Sequence, residues 1–205
     1  MGSWPFDLSL LPESDLAAEK EAARSCTICR EKLPLGPRPV LRGEATARIL
    51  IVGQAPGVKV HATGIPWNDP SGDRLRQWTN LSRDIFYDEG RIAILPMGLC
   101  YPGRYPRGGD LPPVPECAPR WHPRIVPFWQ KIELVLLIGQ YAQSYYLGED
   151  RASSLTETVR RWREFTPLML PLPHPSFRNN AWLQRNSWFM EEVVPYLRER
   201  VEALL

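Results

Sequence analysis

Apolar residues along this chain gather in short unbroken runs, and the stretches between the runs are amphipathic. Residues 48–53 read RILIVG, a β-branched run ending in glycine, as a buried parallel strand does where it meets a loop. RIAIL at residues 91–95, ELVLLIG at 133–139 and LMLPLP just before His174 repeat the pattern. Between these runs the period lengthens. SGDRLRQWTNL at residues 71–81 opens with serine and carries apolar positions at helical spacing, which predicts a helix packed back on the sheet. QYAQSYYLG, residues 155–165 and residues 180–204 predict further helices, the last with Pro195 inside its pattern. SDLAAEKEAARS at residues 14–25 reads as a short serine-capped helix leading into Cys26. Residues 101–123 are too rich in proline and glycine for regular structure, and long enough to suggest a functional loop. Strands alternating with helices predict an α/β fold: a three-layer α/β/α sandwich around a mainly parallel sheet of about four strands. The 205 residues read as one domain, residues 1–205, with an N-terminal helical arm carrying CTIC.

Composition removes several alternatives. With 43% hydrophobic and 23% charged residues, a disordered polymer is excluded. No run approaches the roughly 18 apolar residues of a membrane span, and MGSWPFDLSLLPESD lacks the basic start and long apolar core of a signal peptide. A cytoplasmic monomer with no membrane partner is the expectation. A net charge of +2 is neutral on the question of a polyanionic partner, but 21 of the 25 cations are arginine. The arginine fork suits phosphates and base edges, although GC-rich coding produces the same bias. Twenty-two prolines are about twice the usual share and imply many rigid loops. Four cysteines in a cytosolic chain point to metal ligands or buried thiols rather than disulfides.

An open parallel sheet binds its ligand beyond the carboxyl ends of its strands. Three loops therefore matter: GQAPG after the first strand, the loop holding Cys100 after the second, and His174-Pro175-Ser176 after the last. A glycine-proline turn exposes backbone N–H groups to a polar ligand. Any one of them alone also reads as a plain tight turn.

Across about residues 26–197 these motifs resemble the uracil-DNA glycosylase superfamily, closest to its thermostable and broad-specificity iron-sulfur branches. VGQAPG is similar to the first motif, TGIPWNDPSGDRL to the Thr-Gly segment, LLIGQYAQSYYLG to a later strand and helix, and HPSFRNN to the closing histidine motif. The resemblance implies a monofunctional DNA glycosylase of base-excision repair. Such an enzyme flips uracil or a broader set of damaged bases out of single- or double-stranded DNA and hydrolyses the N-glycosidic bond. It assigns His174 to stabilising the departing base and Trp67 to stacking on it, with Gln54, Ala55 and Gly98 around the base edge. It gives Ser176, Phe177 and Arg178 to the DNA surface, Phe177 as an apolar wedge. On local sequence alone Trp67 reads as a core tryptophan, and Phe177 reads equally as a packed loop residue. Cys26, Cys29, Cys100 and Cys117 resemble the four-cysteine site of a [4Fe–4S] cluster, and a thiolate tetrad suits Zn²⁺ as well.

The chain departs from the family at two places. The classical uracil enzymes carry Asp in the first motif and another branch carries Glu, where this chain has Ala55 and Gln54, neither able to accept a proton as a carboxylate does; the first motif of the broad-specificity branch is similarly uncharged. Asp69 in the Thr-Gly segment is the replacement implied by the broad-specificity branch, with a one-residue gap. It reads equally as an Asx-turn residue before Pro70, and Asp73 reads as the start of a helix. Related enzymes also place Asn on or after the second strand, whereas IAILPMGLC has none, with Pro96 or Met97 near that place. Backbone groups near Gln54 and Gly98 then have to read the base edge. These departures keep a second function open, a non-catalytic or repurposed nucleic-acid-binding member of the same fold.

Overall fold

The computed structural model describes residues 15–205; Ser14 and the rest of residues 1–14 lie outside the described residues. Helix α1 (Leu16–Arg24) is capped by Asp15, whose side chain accepts from the Ala18 N–H at 2.7 Å. Strand β1 (Ile49–Val52) leads through GQAPG into α2 (Val58–Thr63), α3 (Pro70–Thr79) and α4 (Arg83–Phe86). Then come β2 (Ile92–Ile94), α5 (Cys117–Ile125), β3 (Leu134–Ile138), α6 (Gln140–Leu147), α7 (Leu155–Arg160), β4 (Met169–Leu172), α8 (Asn180–Arg185) and α9 (Val194–Leu204). The four strands lie parallel in the order β2-β1-β3-β4. Ile49 is level with Ile92 on one side and Leu134 on the other, and Val135 is level with Met169.

Side chains alternate across the sheet. Leu50, Val52, Ala93, Val135 and Leu137 face a core closed by Leu16 and Ala23 of α1, Trp121 and Ile125 of α5, and Ala142 and Tyr146 of α6. Ile49, Ile51, Ile92, Leu136 and Leu170 face the opposite core with Leu75 and Trp78 of α3, Val159 of α7, and Leu197 and Val201 of α9. Both faces are covered, so the strands carry no polar alternation and the fold is the expected three-layer α/β sandwich.

Four helical expectations change. Residues 101–123 are not wholly irregular, since α5 occupies Cys117–Ile125. Pro119 falls in its first turn, where the missing N–H costs nothing, and only Pro123 interrupts the ladder. The helix expected at 155–165 ends at Arg160 and continues as a 3₁₀ turn at Trp162–Glu164. The closing helix is broken as well, with a π-helical turn at Phe189–Val193 between α8 and α9 and Pro195 in the first turn of α9. At α3 the cap is Asp69 rather than a serine, and Pro70 takes the first turn.

Candidate functional site at the carboxyl rim of the sheet

The loop after β1 is stitched to the loop after β2. Met97 N–H donates to the Gly53 carbonyl and Gly98 N–H to the Gln54 carbonyl, both at 2.9 Å. The Gln54 amide nitrogen is committed to the Leu111 carbonyl at 2.9 Å, so that side chain cannot present a complete amide edge to a ligand.

Trp67 sits in left-handed backbone with φ +56°. Two glycines make this geometry possible. A Cβ on Gly53 would lie 2.7 Å from the Trp67 ring, and one on Gly72 would lie 1.7 Å from its carbonyl oxygen. Asp69 caps α3, its Oδ1 accepting the Gly72 N–H at 2.9 Å. The carboxylate thus meets its local structural role and still lines the pocket. Asp73 heads the first turn of α3, as expected, and pairs with Arg76 at 2.6 Å.

His174 follows β4, and its ring lies 5.7 Å from that of Trp67 at an interplanar angle of 34°. Asn179 fixes the loop by donating from Nδ2 to the His174 carbonyl at 2.7 Å. Burial lowers the His174 pKa below the usual histidine value, and the Asp69 charge pulls part of it back. The neutral ring is therefore favoured, so that one ring nitrogen bears a proton to donate.

Further along the same loop, the Ser176 carbonyl accepts from Arg74 at 3.1 Å, and the Arg74 guanidinium lies 4.2 Å over the Phe177 ring. Phe177 is 57% exposed. Arg178 reaches across to the long loop, where a Cβ on Gly108 or Gly109 would come within 2.8 or 2.6 Å of its guanidinium.

Gln54, Ala55, Trp67, Asp69, His174, Ser176 and Arg178 line one pocket of about 460 Å³. Gly98 faces the neighbouring cysteine cavity instead, and Phe177 stands outside the lining. Sequence reasoning missed Asp110, which also lines the pocket. A Cβ on Gly57 would sit 3.6 Å from Asp110 Oδ2 and 3.9 Å from Asp69 Oδ2, so the two carboxylates border a common space. Burial of its carboxyl raises the Asp110 pKa, Arg104 and Arg178 oppose the rise, and Asp69 adds to it. Asp110 lies in a proline- and glycine-rich loop with no motif of its own, and a lone aspartate there carries no signal.

Behind this pocket, Cys26, Cys29, Cys100 and Cys117 line one cavity of about 20 Å³, walled by Leu33, Leu99, Val114 and Trp121. All four are free thiols. Leu99 N–H donates to Cys117 Sγ at 3.3 Å. Burial, with the neighbouring cysteines adding, pushes Cys100 up to about 11 and Cys117 to about 12. Among the described residues, no three His, Cys, Asp or Glu side chains are gathered into finished metal-binding geometry.

A parallel sheet whose loops converge on a pocket at its carboxyl rim, with a histidine beside an indole, defines an α/β protein with a ligand-sized pocket at that rim. The chain belongs to the uracil DNA glycosylase superfamily, whose family model matches residues 41–198. That membership carries a DNA-glycosylase-type function with DNA as substrate. Cys100 and Cys117 fall within the matched segment, whereas Cys26 and Cys29 precede it. Among the described residues no helix is long and apolar enough to cross a membrane.

Proposed function

We propose that the protein is a monofunctional DNA glycosylase of base-excision repair that takes a flipped, deaminated or otherwise damaged base against Trp67 and releases it by hydrolysis. One observation carries this reading: Trp67 and Asp69, from one segment, and His174, more than a hundred positions further along the chain, line the same pocket. As the C1′–N bond breaks, its electron pair leaves with the base and the sugar becomes cationic. His174 donates a hydrogen bond to the developing base anion, and the Asp69 carboxylate faces the cationic side. With the Gln54 amide nitrogen held by Leu111, the base edge is read by backbone groups, which favours a broader set of bases than uracil alone. Ser176 and Arg178 meet the DNA backbone, and the exposed Phe177 enters the helix as a wedge.

We read the four cysteines as ligands of a [4Fe–4S] cluster, a reading supported by four sulfur donors on one apolar-walled cavity and a backbone N–H donating to Cys117 Sγ, although the thiols are not drawn together into finished coordination geometry. Cys26, Cys29, Cys100 and Cys117 would hold it, pinning the N-terminal arm against α5. The same four thiolates would take Zn²⁺ in tetrahedral coordination.

The test is alkaline strand cleavage of oligonucleotides carrying uracil, hypoxanthine, xanthine or an alkylated base. Release of at least one is expected. DNA binding without release of any of them would favour the second reading, a repurposed nucleic-acid-binding member, which the absence of a carboxylate at Gln54 and Ala55 supports.

A further inference from the structure

We propose that Asp110, on the loop between β2 and α5, is a catalytic residue of this site, the base that takes the proton from the attacking water. The inference rests on the glycosylase reading above. A base stacked on Trp67 with His174 at its edge leaves its sugar at the pocket mouth, so the water must be activated at the rim rather than in the depth. Asp110 stands at that rim, an exposed residue that also lines the pocket.

The first motif offers no carboxylate, and Asp69 is engaged through Oδ1 with the helix it caps. Asp110 has no such bond to a helix. Its Oδ2 and that of Asp69 both lie within 4 Å of the point where a Gly57 Cβ would stand, so the two carboxylates border one shared space in which a water can lie against Asp110. The charged groups around Asp110 are Arg104, Arg178 and Asp69, and the raised affinity for a proton suits a base better than an ordinary surface carboxylate would.

The step balances. The water oxygen bonds to C1′ as the bond to the base breaks, one water proton passes to Asp110, and the electron pair leaves on the base. Solvent then carries the proton from Asp110 to the released base. Asp69 keeps the cationic sugar company, and the two carboxylates divide the work that one first-motif carboxylate would do.

The test uses the full chain in single-turnover excision on whichever of the four damaged oligonucleotides the wild type cleaves. Asp110→Asn should lower the rate about 100-fold or more, leave DNA affinity within about threefold, and abolish the acid limb of the pH–rate profile. Asp110→Glu should restore part of the rate and a shifted acid limb. Gly57 has ordinary negative φ (−80°), so Gly57→Ala adds a methyl beside both carboxylates without backbone strain and should slow excision at unchanged melting temperature. A wild-type pH profile retained in Asp110→Asn, or a loss confined to DNA affinity and thermal stability, would overturn the proposal and leave Asp110 as a staple for the Arg104 and Arg178 loop. Absence of wild-type release from all four oligonucleotides would instead overturn the glycosylase reading, and this step with it.

Discussion

The indole of Trp67 and the imidazole of His174, 107 positions apart in the chain, lie with ring centroids 5.7 Å from each other. They are neighbours on one pocket wall, the indole offering a face for stacking and the imidazole a hydrogen bond at the edge of the same ligand. Replacing His174 with alanine should cost about 100-fold to 1000-fold in single-turnover excision, the usual loss for a donor to developing charge. Trp67→Ala should act mainly on capture of the flipped base, weakening it by roughly 1 to 3 kcal/mol. Equal losses in rate and binding from both variants would contradict this division of labour.

The glycines around Trp67 give a structural prediction. Any side chain at Gly72 collides with the Trp67 carbonyl, and one at Gly53 with its ring. Gly72→Ala should lower stability by about 1 to 3 kcal/mol, and Gly53→Ala should displace the indole with a change in tryptophan fluorescence. Wild-type melting curves for Gly72→Ala would mean that the Trp67 turn relaxes freely.

A third expectation concerns acid stability. His122 is fully buried, Nε2 donating to the Pro96 carbonyl at 3.1 Å and Nδ1 accepting from the Tyr146 hydroxyl at 2.8 Å. Burial lowers its pKa to about 4, while the Pro96 bond raises it against that trend. A base depressed in the folded state contributes stability that is fully present above its unfolded value near 6.5 and fades as the pH falls toward 4. Chemical denaturation should show about 1.4 kcal/mol lost per pH unit across that window from this group. His174 shifts in the same direction, so His122→Gln is the variant that isolates the contribution; an unchanged slope in it would refute the assignment.

Protein purified without oxygen should show broad sulfur-to-iron absorption at roughly 400 nm, and elemental analysis should find iron. Zinc in its place would retain the four-cysteine site but remove the cluster. Folded protein with neither metal would remove the site.

Arg178 spans two loops at the pocket mouth. Its replacement by alanine should weaken DNA binding and reduce the slope of log affinity against log salt by about one, through the counterion it no longer releases. If the slope holds, Arg178 serves only to hold Gly108 and Gly109 in place.

How much of this was legible beforehand follows from the range over which each feature is determined. The four strands could be read from the chain because a strand buried on both faces must be apolar throughout, and RILIVG or ELVLLIG admits little else. Trp67, Asp69 and His174 were found through motifs whose residues are close in sequence. By contrast α5 was hidden by Pro119 and Pro123, since proline statistics do not reveal that the first of them occupies a turn where its missing N–H is harmless. The break before α9 was equally hidden, because Pro195 marks an interruption without fixing its geometry.

By itself the sequence determined the layers of the sandwich and the three rim loops, because hydrophobic period and turn chemistry are local properties of adjacent residues. The double use of Asp69 needed the structure: an Asx cap and a pocket carboxylate are the same two oxygens pointing at different partners, and only the path of α3 says that both are reached. Asp110 was decided by tertiary structure alone. Its significance lies in a space shared with Asp69 over Gly57, and a distance between side chains on separate loops is set by how the whole chain packs, not by the residues beside it.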